Sequence, residues 1–231
     1  MLIGPQNLAV NLRSVRARIA RAAEAAGRDP DAITLVAVGK TQPAEVLRSA
    51  AAAGVTDFGE NYLQEALAKI DGLADLPLTW HFIGRIQANK TRAIASRFHW
   101  VHGIDRVEIA QRLSEQRSPH LPPLSACIQV ALAPESSKAG IAPAALPEAA
   151  ARIAAMPRLR LRGLMCLPPP ETDPRRQRAV FAQLRGLLQD LDSRGLALDA
   201  LSMGMSGDFE AAIAEGATHV RIGTALFGER G

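Results

Sequence analysis

The stretch from Ile33 to Lys40 reads ITLVAVGK and is followed by Thr41, Gln42 and Pro43. Its β-branched and apolar side chains predict a strand that is buried on both faces, as in a parallel sheet. The strand ends on a lysine, and Pro43 stands where a helix can begin at its first turn. Folds built from such strand–turn–helix units keep their chemistry at the carboxyl ends of the strands. We therefore expect the Lys40 amine at the mouth of an α/β domain.

Lysine is rare in this chain, because 23 of the 27 cationic side chains are arginines. The four lysines are Lys40, Lys69, Lys90 and Lys138. Arginine cannot lose its proton in a protein, whereas a partly desolvated lysine can become a neutral nucleophile and form a Schiff base. Lys40 is therefore a candidate Schiff-base residue. The alternative is an ordinary surface lysine at the end of a strand.

The alternation of strands and helices continues on both sides of this stretch. Upstream, apolar residues at steps of three and four from Leu8 to Ala26 predict an amphipathic helix that Gly27 and Pro30 end. Strands are predicted at residues 33–40, 55–59, 79–83, 100–104, 124–132, 159–167, 198–203 and 219–222. Helices are predicted at residues 43–53, 60–70, 87–97, 106–117, 146–155, 175–191 and 209–214, with a helical start at 225–227. This alternation favours one (β/α)₈ barrel of the TIM type over residues 1–231. A doubly wound open sheet is the alternative fold, but no GxGxxG fingerprint follows the first strand.

The composition of the chain limits the classes of protein to which it can belong. Apolar residues make up 48% of the chain, and no stretch approaches the length of a membrane span. Cys127 and Cys166 lie in apolar runs, which predicts buried free thiols and a reducing, cytoplasmic setting. The charge of +4 hints at nucleic acid, but dispersed arginines without interleaved aromatics favour solvated helix faces, so we expect neither nucleic acid nor membrane as a partner.

Two glycine-rich loops follow the last two predicted strands. One contains Gly204, Ser206 and Gly207, and the other contains Gly223 and Thr224. A phosphate site built by the loops after strands seven and eight recurs in this kind of barrel, where backbone N–H groups and small hydroxyl side chains bind the phosphate. An amine and a phosphate site at the same end of a barrel would suit a phosphorylated aldehyde.

Several motif strings together resemble one family. They are AVGKTQP, DFGENYLQEA, WHFIGRIQANK, HGIDR, ESSKAGI, RGLM and SMGMSGDFEAAIAEGATHVRIGTALFG, and they extend over nearly the whole chain. The sequence is similar to the YggS/PROSC family of pyridoxal 5′-phosphate (PLP) homeostasis proteins. The resemblance implies the PLP-binding barrel that this family shares with the alanine racemase N-terminal domain. The helix predicted from Leu8 to Ala26 would be an extra N-terminal helix added to this barrel.

The resemblance implies a set of cofactor-binding residues. Lys40 would carry PLP as a Schiff base, Asn61 would lie beside the ring, and Arg221 would face the pyridine nitrogen. An arginine there keeps that nitrogen unprotonated, which weakens the ring as an electron sink. The phosphate would be held by Ser206, Gly223 and Thr224, and Met203 is a further candidate cofactor-binding residue. Gly39 departs from the pattern, because serine precedes the lysine in many relatives.

Alternative roles remain open for several of these residues. Arg221 could form a salt bridge to Glu60 or Glu210 at the end of the barrel, and Asn61 could cap the helix that it precedes. Met165, Met203 and Met205 could fill the core rather than contact a ring. His81 and His99 lack metal-ligand spacing and are expected to be hydrogen-bonded core histidines. Lys90 and Lys138 lie in family-like strings, but no spacing assigns either one to the site.

The resemblance favours a carrier of PLP over an enzyme. A racemase needs a proton-transfer group on each face of the bound substrate, and in the alanine racemase relatives a separate C-terminal domain supplies the second one. Tyr62 is the only tyrosine here, and the chain ends after the barrel. We expect a monomer that buffers PLP in the cytoplasm, with apo forms of PLP enzymes and free amino acids as further partners. The alternatives are a weak racemase-like enzyme and, with less support, a nucleic-acid-associated regulator.

Overall fold

The computed structural model describes residues 3–132 and 140–228. Within them, parallel strands pair in chain order, and the first strand pairs with both the second and the eighth, which closes a barrel. The strands are β1 Thr34–Val38, β2 Asp57–Glu60, β3 Thr79–Phe82, β4 Trp100–Ile104, β5 Leu124–Gln129, β6 Leu159–Met165, β7 Ala200–Ser202 and β8 His219–Ile222. The predicted TIM barrel is therefore confirmed.

Helices form the outer layer of the barrel. They are α1 Pro5–Ala25, α2 Ala44–Ala52, α3 Leu63–Gly72, α4 Thr91–Arg97, α5 Val107–Gln116, α6 Leu146–Ala154, α7 Pro174–Ser193, α8 Phe209–Ala214 and α9 Thr224–Phe227. Helix α1 buries the predicted stripe of Leu8, Leu12, Val15 and Ile19 and packs along α8 and α9. Among the described helices, none is long and apolar enough to cross a membrane.

Most apolar side chains lie between the strands and the helices. This core joins strand residues such as Phe58 and Phe82 to helix residues such as Leu47 and Leu113, all of which are fully buried. Each such side chain stabilises the fold by about 1.5–3 kcal/mol relative to an exposed position. Cys127 belongs to a separate small cluster. The helices therefore hold the barrel from outside, and its ends remain available for a site.

Several predicted boundaries are wrong, and two of them matter for the site. Strand β1 ends at Val38, two residues before Lys40. A turn begins there, closed by the Gln42 N–H donating to the Gly39 carbonyl at 2.9 Å. Helix α3 begins at Leu63 rather than at residue 60. Strands β5, β6 and β7 are also shorter than predicted, because apolar residues beyond the sheet are buried in loops and pattern alone does not separate the two.

Both cysteines are free and buried, as predicted. Burial raises the pKa of the Cys127 thiol and of the Cys166 thiol to about 12. At neutral pH both are therefore thiols rather than thiolates, and they act as small apolar side chains.

Candidate functional site

A cavity of about 300 Å³ opens at the carboxyl ends of the strands. Six of the seven predicted site residues line it, namely Lys40, Asn61, Ser206, Arg221, Gly223 and Thr224. They come from the segments after β1, β2 and β7 and from the end of β8, so barrel closure brings distant parts of the chain together. The volume is at the lower end of the range for small-molecule sites.

The turn that carries Lys40 is held from below by a second lysine. Lys69 Nζ on α3 donates to the Gly39 carbonyl at 2.7 Å, to Glu60 Oε1 at 2.8 Å and to Glu65 Oε1 at 2.6 Å. These three acceptors use all three donors of the ammonium group. No role is predicted for Lys69 from the sequence, although the scarcity of lysine in the chain is a signal that points to it.

Thr41, directly after Lys40, has a left-handed backbone with a φ of 68°. A β-branched residue rarely adopts this conformation, so surrounding contacts must hold it. One such contact is the Thr41 N–H, which donates to Glu65 Oε1 at 2.6 Å. Lys40 is half-buried, and among the described residues it makes no hydrogen bond or ion pair. Its amine is thus held in the cavity wall without a protein partner there.

Glu60 lies fully buried beneath the same turn. Burial raises the pKa of its carboxyl to about 7, against the opposing effect of the Lys69 ammonium. Its Oε2 atom has no hydrogen-bond partner, and a Cβ atom on Gly39 would lie only 2.6 Å from Oε1. Gly39 therefore leaves the space that the Glu60 carboxyl occupies. A serine at that position would require this carboxyl to move.

The loops after β7 and β8 meet in the wall of the cavity. Ser206 Oγ accepts a hydrogen bond from the Ala225 N–H at 3.2 Å, which joins the two loops. Thr224 is the first residue of α9, so its N–H has no partner within the helix. Gly204 has a φ of 92°, and a Cβ atom there would lie 2.9 Å from Phe209 Cα. Backbone and hydroxyl donors in this arrangement can bind a phosphate.

Arg221 forms part of the cavity wall without a carboxylate partner among the described residues. Its Nη1 donates to Ser202 Oγ at 2.6 Å, and its Nη2 donates to the Cys166 carbonyl at 2.9 Å. The alternative of a salt bridge to Glu60 or Glu210 is wrong, because Glu60 pairs with Lys69 and Glu210 pairs with Arg18. Burial lowers the pKa of Arg221, but a guanidinium remains protonated in proteins.

Asn61 supplies a polar atom that lacks a partner. Its Oδ1 is buried and accepts no hydrogen bond. The alternative role as a helix cap is wrong, because Tyr62 is the N-cap residue of α3 and no side chain bonds there. A Cβ atom on Gly84 would lie 2.3 Å from the Asn61 carbonyl oxygen, so that glycine allows the backbone of Asn61 to lie against the segment that follows β3. An unpaired buried amide in a cavity wall fits a ligand with a polar group.

Met203 is the predicted site residue that the structure does not place in the cavity wall. Its side chain is fully buried in the core between strands and helices, whereas Met205 lines the cavity. The prediction for Met203 therefore needs correction, and the alternative of core packing holds for it. Lys90 is not part of the lining, and Lys138 lies outside the described residues.

The two histidines considered from the sequence have different environments. His81 is fully buried and hydrogen-bonded, as predicted. The prediction for His99 is wrong in part, because its ring is exposed ahead of β4, although Nδ1 accepts from the Trp80 N–H at 2.9 Å. Within residues 3–132 and 140–228, no group of His, Cys, Asp or Glu side chains is arranged to hold a metal ion.

Comparison with known proteins identifies the family. A family model described as "Alanine racemase, N-terminal domain" matches residues 10–231. The chain belongs to this family. Within it, a solved alanine racemase from Clostridium difficile is 16% identical with a TM-score of 0.76, and the match covers 97% of this chain but 57% of that one. At this identity the racemase shares the fold alone.

Closer relatives of this alanine racemase N-terminal domain protein match over almost their full length. A protein of Pseudomonas aeruginosa named pyridoxal phosphate homeostasis protein is 61% identical, with 96% of each chain covered. A protein of the same name from Escherichia coli is 50% identical, with 97% of each chain covered. PipY of Synechococcus elongatus, solved with PLP bound, is 39% identical with a TM-score of 0.85, covering 96% of this chain and 100% of that one.

Proposed function

We propose that this protein binds PLP reversibly, with the Lys40 amine as the covalent attachment point, and helps keep the cofactor in balance. The observation that carries the proposal is the cavity itself. Its lining combines a lysine without a protein partner among the described residues, hydroxyl and backbone donors from the loops after β7 and β8, and Asn61, whose Oδ1 is unpaired. The names of the homeostasis relatives and the PLP-bound PipY structure support the same ligand.

Each residue has a defined task in this proposal. PLP supplies an aldehyde that an amine can capture, and the chain supplies position. Lys69 holds the turn so that Lys40 Nζ stays in the cavity wall. Ser206 and Thr224 bind the phosphate, and Asn61 contacts the ring substituents. Arg221, with donors only, keeps the ring nitrogen unprotonated.

A carrier is favoured over an amino-acid racemase by the groups that line the cavity. Among the described lining residues, only Lys40 and Arg221 are titratable. A guanidinium does not accept a proton, which leaves Lys40 as the one acid–base group, whereas racemisation needs one on each face. Tyr62 is exposed and does not line the cavity. A weak racemase-like activity, detected as exchange of the α-proton of D- or L-alanine with solvent, would contradict the carrier assignment.

The proposal also includes transfer of PLP from this protein to other proteins. The cavity is open to solvent at the barrel mouth, so a free amino acid or the lysine of an apo-enzyme can compete with Lys40 for the cofactor. We propose that the protein acts as a monomer. Mixing PLP-loaded protein with an apo PLP enzyme should restore that enzyme's activity, and an absence of release on a physiological timescale would reject the carrier role.

The first test is an absorbance spectrum of the purified protein with PLP. We expect a visible band in the wild type that borohydride bleaches, and no such band in Lys40→Ala. Lys90→Ala is the matched control, because that lysine does not line the cavity, and it should behave as the wild type does. A band of equal strength in Lys40→Ala would show that another amine captures the aldehyde. A wild type without the band would overturn the proposed function.

A further inference from the structure

A line of hydrogen bonds crosses the interior of the barrel below the cavity. His81 Nε2 lies 2.9 Å from Asp57 Oδ1, and His81 Nδ1 lies 2.9 Å from His102 Nε2. His102 Nδ1 lies 2.6 Å from Ser202 Oγ, which also accepts from Arg221 Nη1 at 2.6 Å. The line runs from the first residue of β2, at the amino-terminal end of the barrel, to the arginine in the cavity wall.

The charge of Asp57 sets the direction of these bonds at one end. Burial raises the pKa of its carboxyl, but hydrogen bonds from His81 and Thr56 outweigh this, and the net shift is downward. Asp57 is therefore a carboxylate at neutral pH and can only accept. The proton shared with His81 must then be on Nε2.

The two imidazole rings are neutral, so each carries one proton. Burial lowers the pKa of His81 and lowers that of His102 well below its ordinary value. With its proton on Nε2, His81 has an acceptor at Nδ1, which requires His102 to donate from Nε2. His102 then accepts at Nδ1, and the Ser202 hydroxyl donates to it. Both histidines are therefore Nε2–H tautomers.

Arg221 fixes the same direction from the other end. A guanidinium only donates, so it contacts a lone pair of Ser202 Oγ and leaves the hydroxyl proton for His102. Every donor in the line thus points away from Arg221 and toward Asp57, and no atom between them lacks a partner. In a low-dielectric interior a polar network is stable only when it is complete in this way.

A third histidine in the same cluster lies outside this line. The ring of His219 packs 5.8 Å from that of His102 and 6.1 Å from that of His81, measured between centroids. Its Nδ1 contacts Thr218 Oγ1 at 2.8 Å instead. His219 therefore offers a matched comparison, a buried imidazole with the same neighbours but without a link to Arg221 among the described residues.

We propose that this hydrogen-bonded line positions Arg221, with Ser202, His102, His81 and Asp57 as positioning residues. Ser202 and the Cys166 carbonyl hold two nitrogens of the guanidinium, and Arg221 itself lines the cavity. The identity of the ligand there rests on the proposed function. With PLP bound, the line holds the guanidinium toward the ring nitrogen and prevents its rotation away from it. A carboxylate at the far end of the barrel thereby contributes to cofactor binding without touching it.

The direction of the line can be tested in the protein without cofactor. Nitrogen NMR of ¹⁵N-histidine-labelled protein at pH 7 should show His81 and His102 as neutral Nε2–H tautomers. The signals are assigned by comparing His81→Phe, His102→Phe and His219→Phe. A cationic ring or an Nδ1–H tautomer at either position would contradict the proposed direction. This measurement does not depend on whether PLP binds.

The effect on the cofactor is tested with paired variants. Ser202→Ala and His102→Phe should raise the dissociation constant for PLP about three- to tenfold and shift the visible band, because each removes a bond that holds Arg221 in place. Ser202→Thr retains the hydroxyl, and His219→Phe removes a ring outside the line, so both should bind PLP as the wild type does. If Ser202→Ala and His219→Phe change the dissociation constant and the visible band to the same extent, Ser202 and the histidines only pack the interior of the barrel. If His102→Phe does not fold, the smaller Ser202→Ala change decides. A wild type that binds no PLP would instead reject the proposed function.

Discussion

Two lysines of this chain have opposite environments. Lys69 is 4% exposed and bonded to three acceptors, whereas Lys40 is half-buried in the cavity wall with no partner among the described residues. The difference follows from what each must do. A lysine whose three donors are all bonded holds a turn, while an amine without a protein partner is available to a ligand. The position of Lys40 therefore depends on the hydrogen bonds among Glu60, Glu65 and Lys69 beneath its turn.

Glu60→Gln should change how stability depends on pH. Because burial raises the pKa of the folded carboxyl to about 7, the folded protein binds this proton more tightly than the unfolded chain does. The free energy of unfolding contributed by Glu60 is therefore largest below its unfolded pKa and falls as pH rises toward 7, by on the order of 1–3 kcal/mol. In Glu60→Gln this fall should be absent. Urea unfolding of both proteins from pH 4.5 to 8 measures the difference.

The control for this prediction is Glu210→Gln, which removes a partly exposed carboxylate paired with Arg18 on the surface. Exposed ion pairs contribute about 0–1 kcal/mol, so its pH profile should follow that of the wild type. The opposite result would be a wild type whose stability, relative to Glu60→Gln, rises with pH over the same range. It would show that the Lys69 ammonium has a larger effect than burial on the pKa of the Glu60 carboxyl.

At the scale of elements, the loops after the strands are shaped by close backbone approaches. Gly204 adopts a left-handed backbone with a φ of 92°, and a Cβ atom there would lie 2.7 Å from Ala212 Cβ. Helix α8 therefore packs directly against the loop that ends β7. Gly207 in the same loop has open space around it. The two glycines differ in the constraint that the fold places on them.

Gly204→Ala should destabilise the protein without cofactor by about 2–4 kcal/mol, since it adds backbone strain and a steric clash against α8. It should also weaken PLP binding, because the loop that carries Ser206 must shift. Equilibrium urea unfolding and a PLP titration measure the two effects. Gly207→Ala, the matched control in open space, should change the unfolding free energy by less than about 1 kcal/mol. Equal losses in the two variants would mean that the contact with α8 does not constrain the loop.

At the scale of the whole molecule, barrel closure determines the site. Pairing of β1 with β8 brings the turn after Val38 beside the loop after Ile222. A ligand that contacts both this turn and the loops after β7 and β8 therefore connects the first strand of the chain to the last two. Because such a ligand binds the folded state only, its binding free energy adds to the stability of the entire barrel.

Added PLP should therefore raise the melting temperature. At a concentration of 100 times Kd, the gain is about 2.7 kcal/mol, which corresponds to roughly 5–10 °C for a chain of this size. Differential scanning fluorimetry measures the shift. Pyridoxal lacks the phosphate and should give a much smaller rise, as should PLP with Lys40→Ala. Equal shifts with pyridoxal and PLP would show that Ser206 and Thr224 do not bind phosphate.

The sequence predicted most of this architecture because the information is local. The alternation of apolar runs with amphipathic stretches indicated the barrel, and β4, α8 and β8 were placed with their observed bounds. Strand ends were less accurate, since an apolar residue such as Cys166 is buried in the loop after β6 as well as it would be in a strand. The lysine at the first turn and the residues of the two glycine-rich loops were predicted from residue type alone, and they line one cavity.

Only the tertiary structure decided which side chains act together. Lys69, Glu60 and Gly39 meet because α3 packs under the turn after β1, and no spacing in the sequence reports that contact. The line from Asp57 to Arg221 joins five strands through atoms that are up to 164 residues apart, a geometry set by strand register and barrel closure. The sequence by itself determined the fold and the chemical groups, because periodicity and residue type are properties of neighbours along the chain. Their partners were decided in three dimensions, since hydrogen bonds depend on distance in space.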